Sequence, residues 1–353
     1  MSQRTRYFLF GSVVVISALL CTGLVAYYNG NLPLRASSDG PAELAYLPTE
    51  TTAIAFANVN EIMNSDFRQK LRTVLPTGQE KDRLIAEIGL DIEHDIDRVV
   101  AGVVAGGPAV NGATVLVRGR FDATRMEALA LQHGATVAEY KGKRMLLAPS
   151  VPTGGISVPG ESGAVVADHF DGSLAFLEPD LIALGDAAAI RRGIDASISK
   201  EDATKNVELM KFVKDAQLGS NAWVIGKIDE MTKTSPIPDE IRQHLPAVQW
   251  FMVTAHVNGG VTGKVRADAR DEEAAQQLRA VVNGALAAGQ LVAGRDSRLD
   301  AVLKSMQVTG TGNTVAMSFT VPPELLDMIS GANGLHNLLN PSKETTQPRT
   351  IVK

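Results

Sequence analysis

Hydrophobic positions in this chain follow three patterns: one unbroken apolar run, short alternating runs, and longer stretches with helical spacing. The unbroken run is residues 7–28, YFLFGSVVVISALLCTGLVAYY, and no residue between Arg6 and Arg35 is charged. About 20 apolar residues at about 1.5 Å rise each cross a hydrocarbon core about 30 Å thick. Arg4 and Arg6 precede the run, and Tyr7, Phe8, Phe10, Tyr27 and Tyr28 stand at its ends. Basic residues favour the cytoplasmic side and amphipathic aromatics the interface. The pattern predicts a single-pass anchor in the inner (plasma) membrane, with a cytoplasmic N-terminus and a periplasmic, extracytoplasmic body. A cleaved secretory signal is the alternative. Signals carry an apolar core of about 7–15 residues and small residues before the cut. Here the run is longer, and Leu24-Val25-Ala26 and Cys21-Thr22-Gly23 make poor cleavage sites.

The shorter patterns come twice in matching order. An apolar strand passes into a polar amphipathic helix in TAIAFANVNEIMNSDFRQKL (52–71); its counterpart is NAWVIGKIDEM (221–231) followed by EIRQHL (240–245). Next come apolar strands closed by glycines, IDRVVAGVVAGG (96–107) and VQWFMVTAHVNGG (248–260). A further strand and helix follow each, in 113–134 and 261–286, where Asp122 and Asp271 stand as helix N-caps. Hairpin-like pairs complete both halves, with the turn TGTGNT (309–314) supplying positive-φ residues in the second.

This order predicts an internal duplication and an α+β fold. An N-terminal transmembrane helix is followed by two similar, largely antiparallel sheet domains with covering helices, not by a doubly wound parallel sheet. The expected divisions are a cytoplasmic tip at 1–6, the anchor at 7–28, a linker at 29–44, a first domain at 45–200, a second at 201–330, and a flexible tail at 331–353. The Gly/Pro-rich segment 150–163, SVPTGGISVPGESG, is a long loop of the kind that can carry binding function. Its simpler reading is a connection between two strands.

Composition narrows the function classes. The chain is 45% hydrophobic and 21% charged with a net charge of −5, and has no basic stripe to neutralise phosphates, which argues against nucleic acid as a partner. Mild acidity also disfavours electrostatic adhesion to an anionic membrane face, leaving residues 7–28 as the membrane contact. Aromatics at 5% offer no evident stacking platform for bases or sugars. Cys21 is the only cysteine, so no intramolecular disulfide forms.

Motifs with chemical potential are few. Gly310-Thr311-Gly312 runs into a strand rather than opening a helix, so it reads as a turn and not a dinucleotide loop. Ser197-Ile198-Ser199-Lys200 matches S-x-x-K, with Lys233-Thr234-Ser235 near K-T-G, but it lies in the polar stretch SISKEDATKN, read as a solvated turn. Asp91, Glu93, His94, Asp95 and Asp97 form the best metal candidate, since hard cations take several oxygens from one loop and histidine adds nitrogen. The competing reading is a polar link whose aspartates cap a turn. His169 and His256 are isolated, and Trp223, Trp250 and Phe251 fall in apolar strands as core residues. No catalytic residue and no cofactor is expected.

The opening of the body, AYLPTETTAIAFANVNEIMNSDFRQKL, resembles DUF3352-like membrane-anchored bacterial exported proteins of unknown function. There, a leucine–proline and acidic–threonine step, here Leu47-Pro48 and Glu50-Thr51, precedes an apolar strand and a helix. The resemblance implies location and architecture and supplies no site residues. The expected role is a non-enzymatic protein-binding or envelope scaffold module, with another envelope protein as partner. The alternatives are an envelope hydrolase, or a small-ligand or lipid sensor using an interdomain cleft.

Overall fold

The computed structural model describes residues 40–66, 89–90, 92–104, 113–148, 151–152, 169–170, 172–228, 248–293 and 297–321. A 3-10 turn at Ala42–Tyr46 leads into strand β1 (Thr51–Asn58). Asn58 ends the strand and starts the short helix α1 (Val59–Met63): its Oδ1 accepts the Glu61 N–H at 3.2 Å, and its Nδ2 donates to Glu61 Oε2 at 2.9 Å. A one-turn helix α2 (Ile92–Asp95) precedes β2 (Ile96–Val104) and β3 (Ala113–Gly119). Helix α3 (Ala123–Gln132) opens on Asp122, which accepts the Arg125 N–H at 3.0 Å.

Strands β4 (Thr136–Tyr140) and β5 (Lys143–Leu147) are joined by Lys141-Gly142 at φ 49° and 76°, the two positive values a two-residue I′ turn requires. The two-residue strands β6 (Val151–Pro152) and β7 (His169–Phe170) pair with each other. Then come β8 (Gly172–Glu178), β9 (Leu181–Asp186), helix α4 (Ala187–Ser199) and helix α5 (Val207–Gln217), the helices capped by Asp186 and Asn206. The remaining elements are β10 (Ala222–Lys227), β11 (Val248–Asn258), β12 (Gly260–Ala269), α6 (Glu272–Ala293), α7 (Ser297–Ser305), β13 (Gln307–Thr309) and β14 (Thr314–Val321).

Among the described residues, twelve strands form one antiparallel sheet in the order β13-β14-β12-β11-β10-β1-β2-β3-β9-β8-β5-β4. The two similar domains expected on either side of residue 200 are therefore corrected to a single sheet. β1 and β10 hydrogen-bond each other from Ala53↔Gly226 to Ala57↔Ala222, and Phe56 stacks on Trp223 across that seam with ring centroids 5.2 Å apart. The physical reason is edge satisfaction: separate domains would leave the inner edges of β1 and β10, both apolar, unpaired. The helices do not cover two separate domains: α4 lies over β3, β8 and β9 and α5 over β10 and β11, side by side on one face of the common sheet. The expected anchor at 7–28 lies outside the described residues; among those described, no helix is long and apolar enough to cross a membrane.

Side-chain alternation divides the core in two. Ile54, Val100, Leu116, Ile225 and Met252 face α4 and α5, where Ile190, Ile194, Leu209 and Val213 bury against them. Ala57, Val99, Val117 and Ile182 point the other way, toward Val59 and Met63 of α1. A register shift between Ile96 and Arg98 sets Ile96 with Val99 and returns Arg98 to the Val100 side. That bulge places Arg98 directly across from Arg118.

Candidate functional site

The acidic cluster does not converge among the described residues. Asp91 and the Glu93 side chain lie outside the description, and His94 is exposed. Asp95 Oδ1 pairs with Arg120 Nε at 3.4 Å, while Asp97 Oδ1 accepts from Asn60 Nδ2 at 3.4 Å. Among the described residues no group of three or more histidine, cysteine, aspartate or glutamate side chains is placed to hold a metal. Ser197 lies near the end of α4 and Lys200 is its left-handed C-cap at φ 63°, so the S-x-x-K match closes a helix, where nucleophilic use needs it to open one. Of 150–163 only Val151–Pro152 is described. Trp223 is buried against Phe56, and Trp250 stacks on Phe212 with centroids 5.0 Å apart.

The structure brings together a different group. Glu43, in the stretch read as linker, is fully buried, and its Oε1 receives Arg118 Nε at 2.5 Å and Arg98 Nη2 at 3.4 Å. Arg118 also reaches Glu178 at 3.1 Å and Asp180 at 2.7 Å, and the Tyr46 hydroxyl donates to Glu178 at 3.2 Å. A carboxylate without solvent requires such opposite charges. Burial by itself lowers the Arg118 pKa, but the hydrogen bonds to Glu43 and Asp180 outweigh it and the net shift is upward. Tyr46 is pushed up, by burial first and then by the Glu178 charge.

Two glycines make the seat for this segment. A Cβ on Gly102 of β2 would lie 2.6 Å from Leu47, and one on Gly193 of α4 would lie 2.4 Å from the Tyr46 carbonyl oxygen. Sequence inspection missed the cluster because Glu43 follows a linker-like stretch. Its available signal was Arg118, a cation set inside the alternating run ATVLVRG.

A polar cleft of about 290 Å³ opens at the ends of β1, β10 and β11. Glu50, Thr52, Asn206, Glu208 and Lys227 line it above Trp250, with Lys227 Nζ 5.7 Å from the Trp250 ring centroid and 3.8 Å from Glu208. It lies within one sheet and not between domains.

The two ends of the sheet differ. At the β14 end the sheet finishes on three-residue β13, which pairs with Ala316 to Ser318, and side chains bond the backbone that β13 leaves uncovered on either side of that stretch. Ser305 Oγ accepts the Thr320 N–H at 3.0 Å and donates to the Val302 carbonyl at 2.7 Å. Arg279 Nη2 donates to the Gly312 and Thr314 carbonyls. At the other end, among the described residues, β4 pairs with β5 alone. Tyr140 and Lys143 flank the two-residue turn and exchange hydrogen bonds, so alternation turns Thr136, Ala138 and Tyr140 toward β5 and the N–H and C=O of Val137 and Glu139 outward. Among the described residues nothing bonds those four outward groups. Val137 is 41% exposed.

No protein-family model matches the chain, and neither does any curated protein. A solved structure of TP0453 in crystal form I is similar at a TM-score of 0.45 and 9% identity, over 87% of this chain and 100% of that one.

Proposed function

We propose that this chain is a single-pass membrane-anchored extracytoplasmic protein, held in the plasma membrane by residues 7–28. Its body is a non-enzymatic envelope scaffold that binds protein by strand addition. The observation that carries this reading is the free edge of five-residue β4, while the opposite end of the sheet finishes on β13, only three residues long. A free edge offers main-chain hydrogen bonds to an extended segment, and alternate side chains give specificity. Arg118 and Arg266 hold Glu43, Asp180, Asp215 and Asp268 as guanidinium pairs, which fix charge in place and do not relay protons.

Proline at 137 removes an outward N–H while sparing the β4–β5 ladder. Cross-linking the full-length protein in its own membrane should give one stoichiometric protein adduct. That adduct should be absent from a chain truncated after the anchor and lost in Val137→Pro. Equal adduct in Val137→Pro would move the binding surface away from β4, and no adduct above the truncated control would remove the binding reading.

A further inference from the structure

Building on that reading, we propose that the strand added at β4 belongs to a second copy of this chain, giving a two-fold dimer in which the two sheets join edge to edge. The sequence of β4, TVAEY, selects its own register. An antiparallel self-pair centred on Ala138 sets Val137 against the partner's Glu139 and Glu139 against the partner's Val137. Each such pair exchanges two hydrogen bonds, and all four outward groups of each strand are used.

Centring on Glu139 instead opposes two like charges and calls on Lys141, which sits in the turn at φ 49° and has left the ladder. Centring on Val137 calls on Ala135, whose N–H is already spent on the Ala130 carbonyl at 2.9 Å. The Ala138 register has neither defect. It brings the two chains together at a small side chain and faces Thr136 with the partner's Tyr140. It also places exposed Val137 and the helix carrying Leu131, 47% exposed, beside the new joint.

The symmetry fits two anchors in one membrane. Antiparallel edge pairing has its two-fold axis normal to the sheet, so both copies present the same face to the same side. Leu44, Tyr46 and Leu47, at the entry of the chain into the fold, pack on the α4/α5 face. Residues 44–47 of the two copies therefore lie on the same side of the joined sheet.

The test uses the full-length chain in its membrane with Cys21→Ser, so that the introduced cysteine is the sole thiol. In a non-hydrogen-bonded antiparallel pair the Cα atoms are about 4.5 Å apart, within disulfide reach, whereas diagonal neighbours at about 7–8 Å are not. Mild oxidation should link Ala138→Cys into a covalent dimer and leave Glu139→Cys monomeric. Adding Val137→Pro should lower the Ala138→Cys dimer about tenfold or more, through lost outward donors in both copies. Equal linkage at 138 and 139, or none at either, overturns self-pairing. If the only adduct sensitive to Val137→Pro is a different protein, self-pairing fails while strand addition at β4 stands.

Discussion

Glu43 is a carboxylate without solvent, compensated by two guanidinium groups that reach it from neighbouring strands. Removing one member of a buried charge set leaves the others uncompensated, at about 3–5 kcal/mol. Glu43→Gln should therefore lower unfolding free energy by about that amount, since Arg98 and Arg118 would face each other across β2 and β3 without it. Denaturant titration of the full-length protein in detergent checks this, and a loss below about 1 kcal/mol would mean solvent already relieves the cluster. Little of this was legible in sequence. Glu43 follows NGNLPLRASSDGPA, a stretch with every mark of a linker, and a buried ion set is assembled by long-range packing. Of the metal candidates, Asp95 and Asp97 each have a separate partner, Arg120 and Asn60.

Elements whose signal is local were the legible ones. Asp122 and Asp271 stand as expected before helices, each accepting a backbone N–H three residues on. Asp271 carries a pH consequence. The Ala274 N–H, and then Arg270, hold its carboxyl below the usual value. A depressed carboxylate adds stability above its unfolded pKa of about 4, and that contribution disappears as pH falls through the folded value. Asp271→Asn keeps a capping oxygen that does not titrate. Wild type should thus lose more stability than Asp271→Asn on acidification below about pH 4, while the two stay nearly parallel above about pH 5. Thermal melts across that range decide it, and superimposable pH profiles would show the cap contributes nothing that titrates. The alternation in 261–269 and around TGTGNT likewise marked β12 and β14. The status of β4 as an open edge was not legible, because an alternating strand looks the same whether it has one neighbour or two.

At the scale of the molecule, strand order is the quantity that sequence periodicity leaves open. The pattern of β1 or β10 is equally well satisfied by a strand of its own half or of the other, and here the two pair with each other. From that seam the order runs outward as β2, β3, β9, β8, β5, β4 on one side and β11, β12, β14, β13 on the other. One continuous sheet predicts one cooperative unit, where two domains would unfold separately. Trp223 is the place to test this: it is buried in the seam, stacked on Phe56, and its loss to alanine should cost about 3–5 kcal/mol. Because both arms depend on the seam, amide-exchange protection in β8 and β9 should fall together with that in β11 and β12. The Trp250 fluorescence transition should also coincide with the loss of far-UV circular dichroism. If protection fell in one arm alone, with the other arm melting as in wild type, the β1–β10 pairing would join two independent units and the single-sheet account of stability would fail.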